Sequence, residues 1–236
     1  MNTHQERPRK GGGNECQFCN CGFGRPSVTG RMHHLVTCPI EDGWRKLLPV
    51  SFTASNAQLV HDGKKWQTRR LPGKPVSGPP CVTDRECHWR DGSSTWHRPR
   101  WNVGDILWVQ EPWRTDTEHD CLKPSELPPH ARIFHEGNQR AEMGDVGKLR
   151  HGRFLPLRFA RPARYEVTAV KCEQLQSVHE LDAIAEGCMG GTDGVPNVPL
   201  TRRSAFIILW NLIHTKPGAR WEQNPFIFVY TFNRIL

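Results

Sequence analysis

Between residues 62 and 70 the chain reads Asp-Gly-Lys-Lys-Trp-Gln-Thr-Arg-Arg, four cations packed around one hydroxyl. Like charges on Lys64, Lys65, Arg69 and Arg70 repel one another unless an anion or the loss of a proton relieves them. A fold that keeps them together must therefore supply a partner. The preceding residues read as a short strand, Val50 to Thr53, and a short helix, Ala54 to His61, with Gly63 placed just beyond the helix end. Trp66 to Leu71 reads as a second strand, so the basic motif sits at a helix-to-strand junction. A phosphate or a polar nucleobase is the kind of partner these side chains suit, and a solvated basic turn is the competing reading.

The rest of the composition sharpens that choice. A net charge of +8 favours an anionic partner, and nine Trp argue against a disordered basic tail, which makes nucleic acid the expected class. No apolar run approaches the length of a membrane span, and the opening residues MNTHQERPRK lack the apolar core of a signal peptide. No membrane association is expected, and the expected compartment is the cytoplasm, that of a bacterial host if the chain is phage-encoded. Without a secretion signal, the nine cysteines read as reduced thiols or metal ligands rather than a disulfide framework.

At 236 residues the chain has room for one full domain and a small appendage. Residues 1–13, ending in three glycines, read as a flexible basic tail. Residues 14–44 carry Cys16 and Cys19 in a CxxC turn, then His34 and Cys38 four apart. A helix capped by Ser27, with Val28, Met32 and Leu35 at helical intervals, would project His34 and Cys38 from one face, although Gly30 weakens it. The set Cys16, Cys19, His34 and Cys38 suits tetrahedral structural zinc, Zn2+, and a segment so poor in apolar residues needs such a staple. Cys21 and His33 are competing ligands, and a treble clef or knuckle using Cys21 stays open. Cys81, Cys87, His88 and His97 match no metal spacing and read as loop.

Residues 45–236 read as the main domain. A Pro/Gly/Ser-rich loop is expected over 72–102, then strands at Ile106 to Gln110, Ala131 to His135, Phe154 to Ala160 and Arg164 to Cys172. Ser177-Val178-His179-Glu180 reads as a capping box opening a helix to about Glu186, closed by Gly187. A helix over Thr201 to Ile213 and a strand over Phe226 to Phe232 complete an α+β order in which strands dominate. A small curved barrel with helices at its ends fits this order better than a doubly wound sheet. Trp108 reads as core, Trp113 as a cleft residue able to stack on a base, and His119, His130 and His135 as surface residues. The cations Lys148, Arg150, Arg153, Arg158, Arg161 and Arg164 read either as a track for a phosphate backbone or as a solvated face. The segment GCMGGTDG lacks the Lys and hydroxyl of a phosphate-binding loop.

Taken in order, PVSFTASNAQLVHDGKKWQTRRL, GDILWVQEPW, RYEVTAVKCEQLQSVHELDAIAEG, FIILWNLI and WEQNPFIFVYTFNRI resemble phage-type ASCH domains, members of the PUA-like barrels. The resemblance spans about residues 47–236 and excludes the zinc-like segment. It implies a β-barrel with a basic cleft for RNA, single-stranded nucleic acid or a modified nucleobase. In one bacterial branch it implies an amidohydrolase that removes the acetyl group from acetylcytidine with a Lys base, a Thr nucleophile and a Glu acid. The motif GxKxxTxR falls on Gly63, Lys65, Thr68 and Arg70, and the branch's glutamate on Glu186. Lys65, Thr68 and Glu186 are thus the catalytic candidates, and Lys64, Arg69, Arg70, Trp113 and Arg153 the binding candidates. Thr needs an adjacent base, and Lys65 serves as one only when neutral, a state that crowding and burial promote. On a regular strand Lys65 and Thr68 would face opposite ways, so the chemistry requires a bend between them. GRFLPLRFARPARY departs from the family's Pro-Arg-Trp run along one wall of the cleft. A structural phage protein with a vestigial pocket is the remaining alternative.

Overall fold

The computed structural model describes residues 36–40, 43–73, 81–82, 87–90, 96–137, 146–189 and 201–236. The chain divides into two units, Met1–Leu48 and Pro49–Leu236. In the first, β1 (Val36–Ile40) pairs antiparallel with the start of β2 (Gly43–Ser51), with Cys38 opposite Arg45. Cys38 therefore lies in a strand rather than in the expected helix. Cys16, Cys19, Cys21, His33 and His34 lie outside the described residues, as do residues 1–13.

The second unit is mixed α and β. Its five-stranded sheet has the order β2, β7 (Ile106–Gln110), β10 (Tyr165–Gln174), β11 (Phe226–Arg234) and β3 (Gln67–Arg70). The pairs β7 with β10, β10 with β11, and β11 with β3 are antiparallel. The sheet does not close into the expected barrel. Its two ends nevertheless approach, because the Arg70 guanidinium on β3 donates to the Ser51 carbonyl at the end of β2 over 2.7 Å. The right-handed twist of long antiparallel strands, increased by a bulge between Val167 and Ala169, provides that curl. No helix among the described residues is long and apolar enough to cross a membrane.

Local chemistry sets the helix ends. Helix α1 (Ala54–His61) starts at Thr53, whose hydroxyl accepts from the Asn56 amide, and stops at Gly63 with φ of 71°. Helix α2 (Glu180–Ala185) is capped two residues later than the sequence indicates: the Asp182 carboxylate accepts from the His179 amide, while Ser177 ends a 3-10 turn. Helix α3 (Arg202–Ile213) begins at Thr201, which accepts from the Ser204 amide. Helices α2 and α3 cover one face of the sheet in a core of Leu175, Val178, Ala183, Phe206, Trp210 and Ile227.

Four further expectations change. The span 72–102 carries short strands β4 (Cys81–Val82), β5 (Cys87–Arg90) and β6 (Trp96–His97). Of the strand expected from Ala131, only β9 (Phe134–His135) forms, paired with β8 (Trp113–Arg114). Phe154 to Ala160 is not a strand but part of two 3-10 turns, Gly152–Phe154 and Leu157–Phe159. Pro156 lacks an amide donor for a ladder, and Leu155 is buried against Trp113, Leu127 and Ala131 in a separate small core. Cys172 is disulfide-bonded, so the cysteines are not all reduced thiols.

Candidate active site

The basic motif is assembled by two glycine-ended helices. After Gly63 reverses the chain at the end of α1, the amides of Lys64 and Lys65 donate back to the Leu59 carbonyl over 2.8 and 3.1 Å. Lys65 thus precedes β3 rather than belonging to it, which is the bend the chemistry requires. The Trp66 amide then donates to the Ala185 carbonyl at the end of α2 over 3.0 Å, bringing Lys65 beside Glu186. Gly187, with φ of 82°, allows the close approach, since a Cβ there would stand 3.2 Å from the Lys65 Cβ.

The Lys65 ammonium donates to the Glu186 carbonyl over 2.9 Å and contacts the Glu186 carboxylate Oε2. Both side chains are buried. Burial holds the Lys65 pKa below its ordinary value, against the pull of Glu186, and Arg70 lowers it further. Thr68, also buried, lines the same cavity as Lys65 and Glu186. That cavity of about 320 Å³ is completed by Arg70, Phe52, His151 and Gly152, and by Phe206, Trp210 and His214 from α3 and its end. Arg70 lies over the Phe52 ring at 5.0 Å, and its buried Nε has no hydrogen-bond partner among the described residues. His214 stacks on Trp210 with ring centroids 4.0 Å apart, and burial, then Arg70, lowers its pKa.

The repulsion within the motif is relieved from inside the protein. Arg69 has no exposed side-chain surface, and it meets Glu173, Asp182 and Glu186 at 3.1, 3.0 and 3.2 Å. Its guanidinium is held by these carboxylates, and Arg69 also lines the cavity. Lys64 is exposed, with Asp62 at 3.6 Å. Trp113, expected in the cleft, is fully buried in the small core. Arg153 is exposed over the Phe154 ring at 4.6 Å and does not line the cavity, whereas its neighbours His151 and Gly152 do.

Sequence reasoning missed His151, His214 and the cluster around Glu111. Nothing in the spacing marks His151, while His214 is detectable only as the residue four beyond Trp210 on α3. Glu111 is fully buried and meets His61 at 3.3 Å, His135 at 3.2 Å and Arg161 at 2.9 Å. Burial alone would raise its pKa, but the neighbouring His135 and His61 and the charge of Arg161 bring it to about 2. His135 is therefore a partner of a buried carboxylate rather than a surface residue. Among the described residues, one group of possible metal ligands comes together, Asp116, Glu118 and His119, with ligand atoms within 4.8 Å of one another. His119 thus has neighbours that the sequence reading did not give it.

No family model, curated protein or solved structure matches the chain. The functional reading therefore rests on the cavity itself. Lys65 and Glu186 touch, and Thr68 lines the same cavity, a space the size of one small ligand.

Proposed function

We propose that the second unit is an ASCH-type, PUA-like domain whose cavity takes a single nucleobase or nucleoside bearing an acylated amine and hydrolyses the amide. The observation that carries this reading is the meeting of Lys65, Thr68 and Glu186 at one cavity. A nucleoside matches the volume of about 320 Å³, and the aromatic wall of Phe52, Trp210 and His214 offers faces for stacking. Arg70, whose buried Nε has no hydrogen-bond partner among the described residues, suits a carbonyl or phosphate oxygen of the ligand.

In this reading neutral Lys65 takes the proton of the Thr68 hydroxyl as its oxygen attacks the acyl carbon. The tetrahedral intermediate then collapses with cleavage of the carbon–nitrogen bond. The proton passes from Lys65 through Glu186 to the departing amine, giving the free base and an acyl ester on Thr68. Water, deprotonated by the same pair, hydrolyses the ester and releases the carboxylic acid. Glu186 is placed for the relay because it already contacts the Lys65 amine.

Chromatographic assay of acetylcytidine and longer acyl analogues tests the reading. Wild type is expected to release cytidine, with Lys65→Ala, Thr68→Ala and Glu186→Gln each slower by a hundredfold or more. No release above the buffer rate on any analogue, or equal rates for Thr68→Ala and wild type, would remove the hydrolytic step. Binding of a modified nucleoside or single-stranded RNA would then be the function of the cavity. Calorimetry with Arg70→Ala tests this second reading.

A further inference from the structure

We propose that Arg69, which lies outside the four motif positions, is the positioning residue of this cavity: it holds one Glu186 oxygen and leaves the other to Lys65. The claim rests on the hydrolytic reading for its purpose, but not for its measurement.

The geometry is specific. Arg69 Nη1 donates to Glu186 Oε1 over 3.2 Å and to Gln67 Oε1 over 2.7 Å, while Lys65 contacts Glu186 Oε2. Glu186 is thereby fixed by a cation on each oxygen and cannot turn away from Lys65 without breaking the Arg69 bond. Arg69 Nη2 is shared by Glu173 of β10 and Asp182 of α2, which anchor the guanidinium against two other elements. From α3 the Phe206 ring lies 5.7 Å from it. A single carboxylate would suffice to neutralise a buried arginine, and an apolar residue of similar volume would be no less stable there. The construction therefore places charge as well as filling space.

The charges facing the pair can be followed element by element. Lys65 is faced by Glu186 and the Cys188 thiol after α2, and by Arg70 of β3. Glu173 is also held by Lys171 of β10 at 2.9 Å. His214, after α3, faces Arg70. With Lys65 protonated, Lys65, Arg69, Arg70 and Lys171 exceed Glu173, Asp182 and Glu186 by one positive charge. Loss of the Lys65 proton makes the group neutral. Removing Arg69 takes one positive charge from this group, and removing a carboxylate adds one.

The experiment reads Lys65 directly, by nuclear magnetic resonance of full-length protein labelled with 13C-lysine, its signal assigned by disappearance in Lys65→Met. Arg69→Gln is expected to raise the pH of the Lys65 transition by about one unit, and Glu173→Gln to lower it by a similar amount. Arg69→Lys keeps the charge but not the fork, and should leave the midpoint within a few tenths of a unit while slowing hydrolysis. If Arg69→Gln does not fold, Glu173→Gln and Arg69→Lys still decide the matter. An unchanged midpoint in Glu173→Gln, or shifts of one sign in both charge-removing variants, overturns the proposal. Opposite shifts in a protein with no amide turnover keep the role of Arg69 and reject the hydrolytic reading. Turnover whose acid limb ignores these shifts keeps hydrolysis and rejects the role of Arg69.

Discussion

Lys65 and Glu186 stand 121 residues apart in the chain and touch twice, the ammonium meeting carboxylate Oε2 and donating to the same residue's carbonyl over 2.9 Å. The two substitutions that break this contact should differ in cost. Glu186→Gln removes an acceptor from the buried Lys65 amine and one carboxylate from the buried Arg69, so a loss on the order of 3 kcal/mol is expected. Lys65→Met removes a buried charge and leaves Glu186 paired with Arg69, so a loss within about 1 kcal/mol is expected. Urea denaturation of both variants checks the order, and the reverse order would show that Arg69 does not hold Glu186.

Glu111 should dominate the acid limit of stability. Its folded pKa is depressed to about 2 from an ordinary 4.5, so its contribution is fully present above 4.5 and is lost as pH falls towards 2. The full loss is on the order of 3 kcal/mol. Urea midpoints measured from pH 5 down to pH 2 should fall steeply in wild type, and the fall should be smaller in Glu111→Gln. Parallel curves for the two proteins would assign the acid sensitivity elsewhere.

The elements written in local chemistry were legible in the sequence. Thr53 and Gly63 bracket α1 at the expected residues, Ile106–Gln110 forms the expected strand, and Gly187 ends α2 as its spacing indicates. The apolar run at Phe154 misled because an apolar run does not distinguish a strand from turns that bury a single residue; here Leu155 is buried and Phe154 exposed. The composition of the site was legible and its pairing was not. Four neighbouring cations announced that anions were needed, but Glu173, Asp182 and Glu186 come from more than a hundred residues away, and only the fold selects them over an external phosphate. Barrel closure failed for the same reason, since it depends on strand register around the whole sheet.

Trp113 separates core from cleft. Because it is fully buried with Leu127, Ala131 and Leu155, Trp113→Ala should cost about 3 to 5 kcal/mol and lower the melting temperature. Nucleoside affinity of the folded protein should stay within twofold. A selective loss of affinity without loss of stability would restore Trp113 to the binding surface.

A pair of glycine substitutions tests how tightly the backbone holds Lys65. Gly63 and Gly187 both have positive φ, 71° and 82°, so alanine at either carries the same kind of backbone strain, about 1 kcal/mol. Their surroundings differ. A Cβ on Gly63 meets nothing within 4 Å, whereas one on Gly187 would stand 3.0 Å from the Leu59 Cδ1 and 3.2 Å from the Lys65 Cβ. Leu59 can move aside at its tip, but the Lys65 Cβ is held by the amide bonds to Leu59 and Ala185 on either side, so the contact pushes on the residue that carries the amine. Gly187→Ala should therefore be less stable than Gly63→Ala by about 1 kcal/mol or more, and only Gly187→Ala should lose amide hydrolysis, by tenfold or more. Equal stability and equal turnover in the two variants would mean that the Lys65 position tolerates movement and that its contact with Glu186 is not set by this glycine.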